Sequence, residues 1–124
     1  MADGYEMIDV HDTEREPSEK SGTPNVDLGE ALGCEKLRPR MWFVEPGNQR
    51  KRYHSHVEQE EFYYVLSGPG RMRIDGETHT IPEGTAIRIS PDTRRKTFND
   101  TDEEHVWLVV GAPAVADPGI VHDS

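Results

Sequence analysis

From residue 26 onward the chain is a series of short apolar runs, each bounded by turn residues. In order they read MWFVEPG, EFYYVLSGPG, RMRIDG, HTIPEG, TAIRISPD, KTFNDTDEE and HVWLVVGAP. Each is about one strand long, and Gly, Pro, Asn or Asp punctuates the series every eight to twelve residues. That is the pattern of an antiparallel sandwich or small barrel. No long segment with a 3.6-residue period competes with it. VDLGEALG predicts one brief helical turn before Gly33. The expected fold class is therefore all-β.

The first 25 residues have a different texture. Tyr5, Met7, Ile8 and Val10 could supply one short strand, whereas TEREPSEKSGTPN is polar and carries two prolines, as a linker or exposed arm does. The expected division is an N-terminal arm and linker over 1–25 and a β-barrel domain over 26–124. The stretch YEMIDV could add to a neighbour's sheet, because a small barrel has open edges that need covering.

A strand sends alternate side chains to one face. His54 and His56 are two apart, so both imidazoles can enter one cavity. Glu61, Tyr63 and Val65 share a face of the next strand, with Phe62, Tyr64 and Leu66 on the other. Two neutral imidazoles and a carboxylate converging from neighbouring strands suit a divalent transition metal such as Zn, Mn, Fe or Ni. A lone histidine is more often a hydrogen-bonded core or surface residue. Here it is the combination of spacings that points to a metal.

Residues 47–68 resemble the first motif of the cupin superfamily: a glycine, His-x-His, four residues, a glutamate, six residues and a glycine. The matching positions are Gly47, His54, His56, Glu61 and Gly68, with one extra residue between Gly47 and His54. Residues 76–99 resemble the second motif through Gly76, Pro82, Gly84 and Asn99. The resemblance covers roughly 35–112 and implies a cupin-type jelly-roll barrel, usually with a metal near its centre. It also implies pairing into a homodimer. It chooses no reaction, since one fold hosts many chemistries.

In the second motif a third histidine normally stands four residues before the asparagine, and here that position is Arg95. Two arrangements follow. In one, His54, His56 and Glu61 bind a metal alone, leaving open positions for water, substrate or dioxygen, with Arg95 lining the pocket. In the other, the Arg95 guanidinium pairs with Glu61 in place of the cation, giving a metal-free binding or sensing module. His11, His79, His105 and His122 read as ordinary solvated histidines. Tyr63 is a candidate ligand donor, although a barrel-filling role is the commoner one.

The basic clusters RKR at 50–52 and RRK at 94–96 flank the two motifs in a chain of net charge -10. By parity Arg52 and Arg95 face the site, and Lys51 and Lys96 point outward. Such a mouth attracts small anions, although solvated edge-strand charges are the alternative reading. The expected ligand is a small anionic organic molecule, acted on by metal-assisted oxygenation or isomerisation if the protein is an enzyme.

The acidic excess opposes nucleic-acid binding, where phosphates must be neutralised. Ten arginines against four lysines in an acidic chain match proteins of salt-accumulating halophiles. The single cysteine, Cys34, excludes an intrachain disulfide and fits a reducing cytoplasm. No run approaches a membrane span of roughly 20 apolar residues, and the N-terminus lacks a secretory h-region.

Overall fold

Punctuated apolar runs form strands because one face can be buried while the other stays solvated. The computed structural model of the chain describes residues 4–123. Its strands in chain order are β1 (Glu16–Pro17), β2 (Pro24–Asp27), β3 (Arg38–Val44), β4 (His54–Ser55) and β5 (Glu60–Ser67). They continue as β6 (Gly70–Ile74), β7 (Glu77–Ile81), β8 (Ala86–Ile89), β9 (Arg95–Phe98), β10 (His105–Ala112) and β11 (Ile120–Val121). The helical turn before Gly33 is α1 (Leu28–Leu32). The Asp27 carboxylate caps it by accepting the Glu30 N–H, and Gly33 closes it at a φ of 70°, where a left-handed conformation favours glycine.

All the pairings are antiparallel. One sheet has the order β1-β2-β3-β10-β5-β8 and the other β11-β4-β9-β6-β7, and together they form a jelly roll that is not strictly closed. The core between them contains Val44, Tyr63, Val65, Met72, Ile81, Ile89, Trp107 and Val109. Alternation along β5 holds as read: Tyr63 and Val65 are buried, while Phe62 and Leu66 are each 42% exposed. A second cluster, Val26, Met41 and Phe43, packs beneath Val10 and Leu28.

The N-terminal segment departs from the expected pattern. Residues 4–9 form no strand, Val10–Asp12 make a single 3-10 turn, and Tyr5 and Met7 stay exposed. Instead Glu16–Pro17 pairs with Pro24–Asp27 of the same chain, so part of the presumed linker extends the sheet. Strands β1, β4 and β11 are two residues each, too short to carry a period of their own; their partners define them.

The packing of Trp107 connects the core to the residues described below. The indole is fully buried and meets the Tyr63 ring edge-on, 5.9 Å between centroids. On its other flank lies Gly70, where an added Cβ would come within 2.5 Å of the indole. Gly70→Ala should therefore destabilise the protein by about 1–3 kcal/mol through overpacking, read as a lower urea midpoint. An unchanged midpoint would show that Trp107 has room to move.

Candidate metal centre

The site forms where the end of β5 meets β4 and β9. His54 and Arg95 are cross-strand partners, and Glu61 begins the inward-facing row of β5. One potential ligand atom from each of His54, His56 and Glu61 can be chosen so that all lie within 4.8 Å of one another. The imidazole rings stand edge to face at 5.0 Å. Glu60 points the other way and pairs with Arg88 at the surface, as strand parity requires.

Hydrogen bonding decides which atoms remain available. His54 Nδ1 lies 2.9 Å from the Arg52 carbonyl oxygen, a contact that places the proton on Nδ1 and leaves the Nε2 lone pair free. Burial pushes the His54 pKa down to about 4, so the ring is neutral at pH 7. His56 Nε2 lies 3.7 Å from Glu61 Oε1, and its Nδ1 lies 3.3 Å from Asp117 Oδ1. His56 Nδ1 makes no hydrogen bond among the described residues, and the Asp117 carboxylate is an ionic neighbour.

Glu61 is held by one oxygen. Its Oε1 accepts from Arg95 Nε at 3.1 Å, Arg95 Nη2 at 2.7 Å and the Tyr63 hydroxyl at 2.8 Å. No hydrogen bond to Oε2 forms among the described residues. Burial alone would raise the Glu61 pKa, but the Arg95 charge and these hydrogen bonds outweigh it and hold the carboxyl below its ordinary range. Arg95 is fully buried, and its Nη1 also donates to the carbonyls of Ser90, Pro91 and Thr93, at 3.3, 3.1 and 2.6 Å. The guanidinium is thus consumed by protein contacts and is absent from the cavity lining. Tyr63 is likewise buried, its hydroxyl committed to Glu61, and burial raises its pKa. Arg52 does reach the cavity, where Nη2 donates to the Pro118 carbonyl at 3.0 Å.

The cavity beside these residues has a volume of about 590 Å³. Its walls include Trp42 and Arg40 of β3, the segment 16–21, and Asp117 and Pro118 from the loop before β11. Its charge is mixed, with Lys20, Arg38, Arg40, Lys51 and Arg52 facing Glu16, Glu19, Asp27 and Glu30 across the same space. The two basic clusters do not act as units. Arg50 pairs with Glu45, and Lys96 lies in a separate shallow cavity with Arg73.

Besides Arg95, which does not line the cavity, two assignments from the sequence change and one residue was missed. Lys51 was expected to point outward, but its ammonium sits 3.2 Å from the Trp42 ring centroid and lines the cavity. Parity failed because residues 45–53 are not a strand, so the alternation of His54 and His56 cannot be extended back through them. His105 is buried, not solvated, with Nε2 3.0 Å from the Thr101 hydroxyl. Asp117 was missed altogether. It accepts the backbone N–H groups of Val57, Glu58 and Gln59 at 3.3, 2.8 and 2.9 Å, and so closes the turn that carries His56. Burial opposes its ionisation, but those donors prevail and its pKa is depressed. The only hint in the sequence is the turn-forming ADPG around it, which says nothing about what the carboxylate meets.

Asp117 Oδ1 thus faces His56 Nδ1 at 3.3 Å and closes the turn that carries it, the side from which a carboxylate can orient an imidazole. Asp117→Asn should weaken divalent-metal affinity about 10- to 100-fold, measured by calorimetric titration. Undiminished affinity would show that the turn holds His56 without that charge.

The donor set fits a divalent transition metal: a freed imidazole nitrogen, a second imidazole backed by a carboxylate, and an unshared carboxylate oxygen.

The family model described as "Cupin domain" matches residues 40–111. Polyketide synthase CurC of Streptomyces cyaneus is 31% identical over 123 residues, 94% of this chain and 75% of that protein. Glucose-6-phosphate isomerase of Thermococcus gammatolerans is 27% identical over 111 residues, 86% of this chain. The chain spans about half the length of some curated relatives, 53% of that isomerase and 45% of another match. Among solved structures, a sugar phosphate isomerase of the cupin superfamily from Silicibacter pomeroyi superposes with a TM-score of 0.84 at 24% identity. That alignment covers 96% of this chain and 83% of the other. Among the described residues no helix is long and apolar enough to cross a membrane.

Proposed function

This chain belongs to the cupin domain family, and on that premise we propose that it binds one divalent transition metal through His54, His56 and Glu61. In this reading the metal face and the adjoining cavity take a small anionic organic molecule, and the reaction is an isomerisation of a hydroxy-carbonyl compound. The observation that carries the reading is the division of labour on Glu61. Arg95 and Tyr63 occupy Oε1, while Oε2 takes no hydrogen bond among the described residues and the carboxylate stays within reach of the His54 and His56 imidazoles. An Arg–Glu pair that had merely replaced a metal would need neither histidine.

When bound, the metal would act as a Lewis acid on a carbonyl or hydroxyl oxygen. The chain's own residues have separate tasks. Arg95 keeps Glu61 ionised, Asp117 fixes the turn beneath His56, and the segment 16–21 with Pro118 narrows access of water to the cavity. Isomerisation is preferred over oxygenation because two of the similar proteins bear names of isomerases acting on sugar phosphates. The proton-transfer group is left unassigned.

The test is to load the protein with Mn and incubate it with fructose 6-phosphate, following appearance of the aldose anomeric proton by NMR. The reading predicts catalytic interconversion that chelation abolishes. Metal uptake without turnover of this or related hydroxy-carbonyl compounds would make the protein a binding module. No metal uptake at all would favour the metal-free arrangement that the Arg95–Glu61 pair also allows.

We also propose a homodimer. Phe62 and Leu66 stay exposed on the outer face of β5, and Tyr5 and Met7 stay exposed in the N-terminal segment, apolar side chains that a second copy would cover. Light scattering should give about twice 14.1 kDa at micromolar concentration; a mass near that of one chain would refute it.

A further inference from the structure

Lys51 differs from every other cation around the cavity. Arg40 is engaged by Asp27 at 2.8 Å and by Asn25. Lys20 and Arg52 both donate to the Pro118 carbonyl, at 3.1 and 3.0 Å. Arg38 is exposed at the rim. Lys51 has no ion pair and no hydrogen bond among the described residues, and its ammonium rests on the π face of Trp42. A cation–π contact stabilises the charge without neutralising it, so the ammonium is held in place and left without a counter-ion.

Its surroundings make this absence informative. The residue is half-buried with its ammonium against the Trp42 ring, and burial drives its pKa down to about 7. Glu61 opposes that shift and Arg40 adds to it. Glu61 nevertheless forms no ion pair with Lys51, because its Oε1 is already shared by Arg95 and Tyr63. A partly desolvated, unpaired ammonium at the wall of a 590 Å³ cavity gains most from an anion that arrives with the ligand.

We propose that Lys51, seated on Trp42, is the anion-recognition residue of the pocket, and that the ligand is a small hydroxylated oxyanion. Its hydroxyl or carbonyl oxygens face His54, His56 and Glu61 while its anionic group rests on Lys51. The assignment rests on the cavity and metal face proposed above and gives that reading a substrate class. It excludes neutral sugars and cations as tight ligands.

The probes are inorganic phosphate and glycolate, with glycerol as the neutral control. Each is titrated by calorimetry into the parent, Lys51→Met, Lys51→Arg and, as an exposed control, Lys36→Met. Lys51→Met should bind the anions about tenfold more weakly or worse. Lys51→Arg should restore part of the loss, and Lys36→Met should match the parent. Lys51→Gln, which keeps a polar stem, should show the same loss and guards against a folding defect in Lys51→Met. Whichever anion binds tighter, phosphate or glycolate, tells a phosphorylated ligand from a carboxylated one. The inference is overturned if both probes bind Lys51→Met as tightly as the parent, if neither binds the parent at tens of millimolar, or if Lys36→Met loses as much. A parallel Mn titration separates the two proposals. Mn affinity should survive in Lys51→Met, and a parent that binds anions through Lys51 but takes no Mn would sink the metal reading alone.

Discussion

Arg95→Met should destabilise the protein by about 3–5 kcal/mol, the usual cost of removing one partner from a buried ion pair. Arg95 is fully buried, and its loss leaves the Glu61 carboxylate with only the Tyr63 hydroxyl as donor. Three backbone carbonyls, at Ser90, Pro91 and Thr93, lose their donor in the same step. The accompanying Glu61→Leu change should recover part of this loss, because an uncompensated buried charge costs more than an apolar side chain in its place. Urea unfolding of the parent, both single variants and the double variant measures the coupling. A loss below about 1 kcal/mol for Arg95→Met would contradict the account, since exposed pairs behave that way.

The same geometry explains why position 95 carries arginine where a histidine would have been the expected ligand. In β9 the side chain lies fully buried beside His54, and its guanidinium takes Oε1 of Glu61. Its charge is spent on a carboxylate and three carbonyls, not on a ligand. A sequence can reveal the substitution at 95, but not which Glu61 oxygen the guanidinium takes. That oxygen separates a clamp that prepares a metal ligand from a pair that replaces the metal.

Much else was legible for a simple physical reason. In β5 and β10 the period of two is carried over eight residues each, so the buried faces of Tyr63, Val65, Trp107 and Val109 follow directly from alternation. The clustering of His54, His56 and Glu61 was legible for the same reason: they lie at or beside strands where parity applies, and Glu60 falls on the outer face as expected. Where the chain leaves the strands the reasoning lost its footing. Lys51 sits in the irregular stretch before β4 and was assigned the wrong side. Asp117 belongs to a loop whose approach to His56 depends on how β11 pairs with β4. The N-terminal segment was read as an arm because its prolines and polar residues give no period. Its pairing with β2 and its place over the cavity come from tertiary contacts such as Lys20 with the Pro118 carbonyl and Arg50 with the Ser21 carbonyl.

Loss of any one ligand should reduce divalent-metal affinity by about 100-fold or more, the second large effect. With three protein donors, each removal takes away a strong bond and leaves a face that water alone must complete. His54→Ala and His56→Ala act by deleting a nitrogen donor. Glu61→Gln is the sharpest variant, because it keeps the shape and an oxygen but removes the negative charge that offsets part of the ion's charge. It should also loosen Arg95, so metal affinity and stability fall together. Glu60→Gln disturbs only the surface pair with Arg88 and should leave affinity unchanged.

Calorimetric titration of the metal-stripped parent and of Glu61→Gln with Mn, Fe, Ni and Zn tests the central claim most directly. The account predicts one ion per chain in the parent and about 100-fold weaker binding in Glu61→Gln. A parent that binds none of the four metals, or one whose affinity is the same in Glu61→Gln, would contradict it.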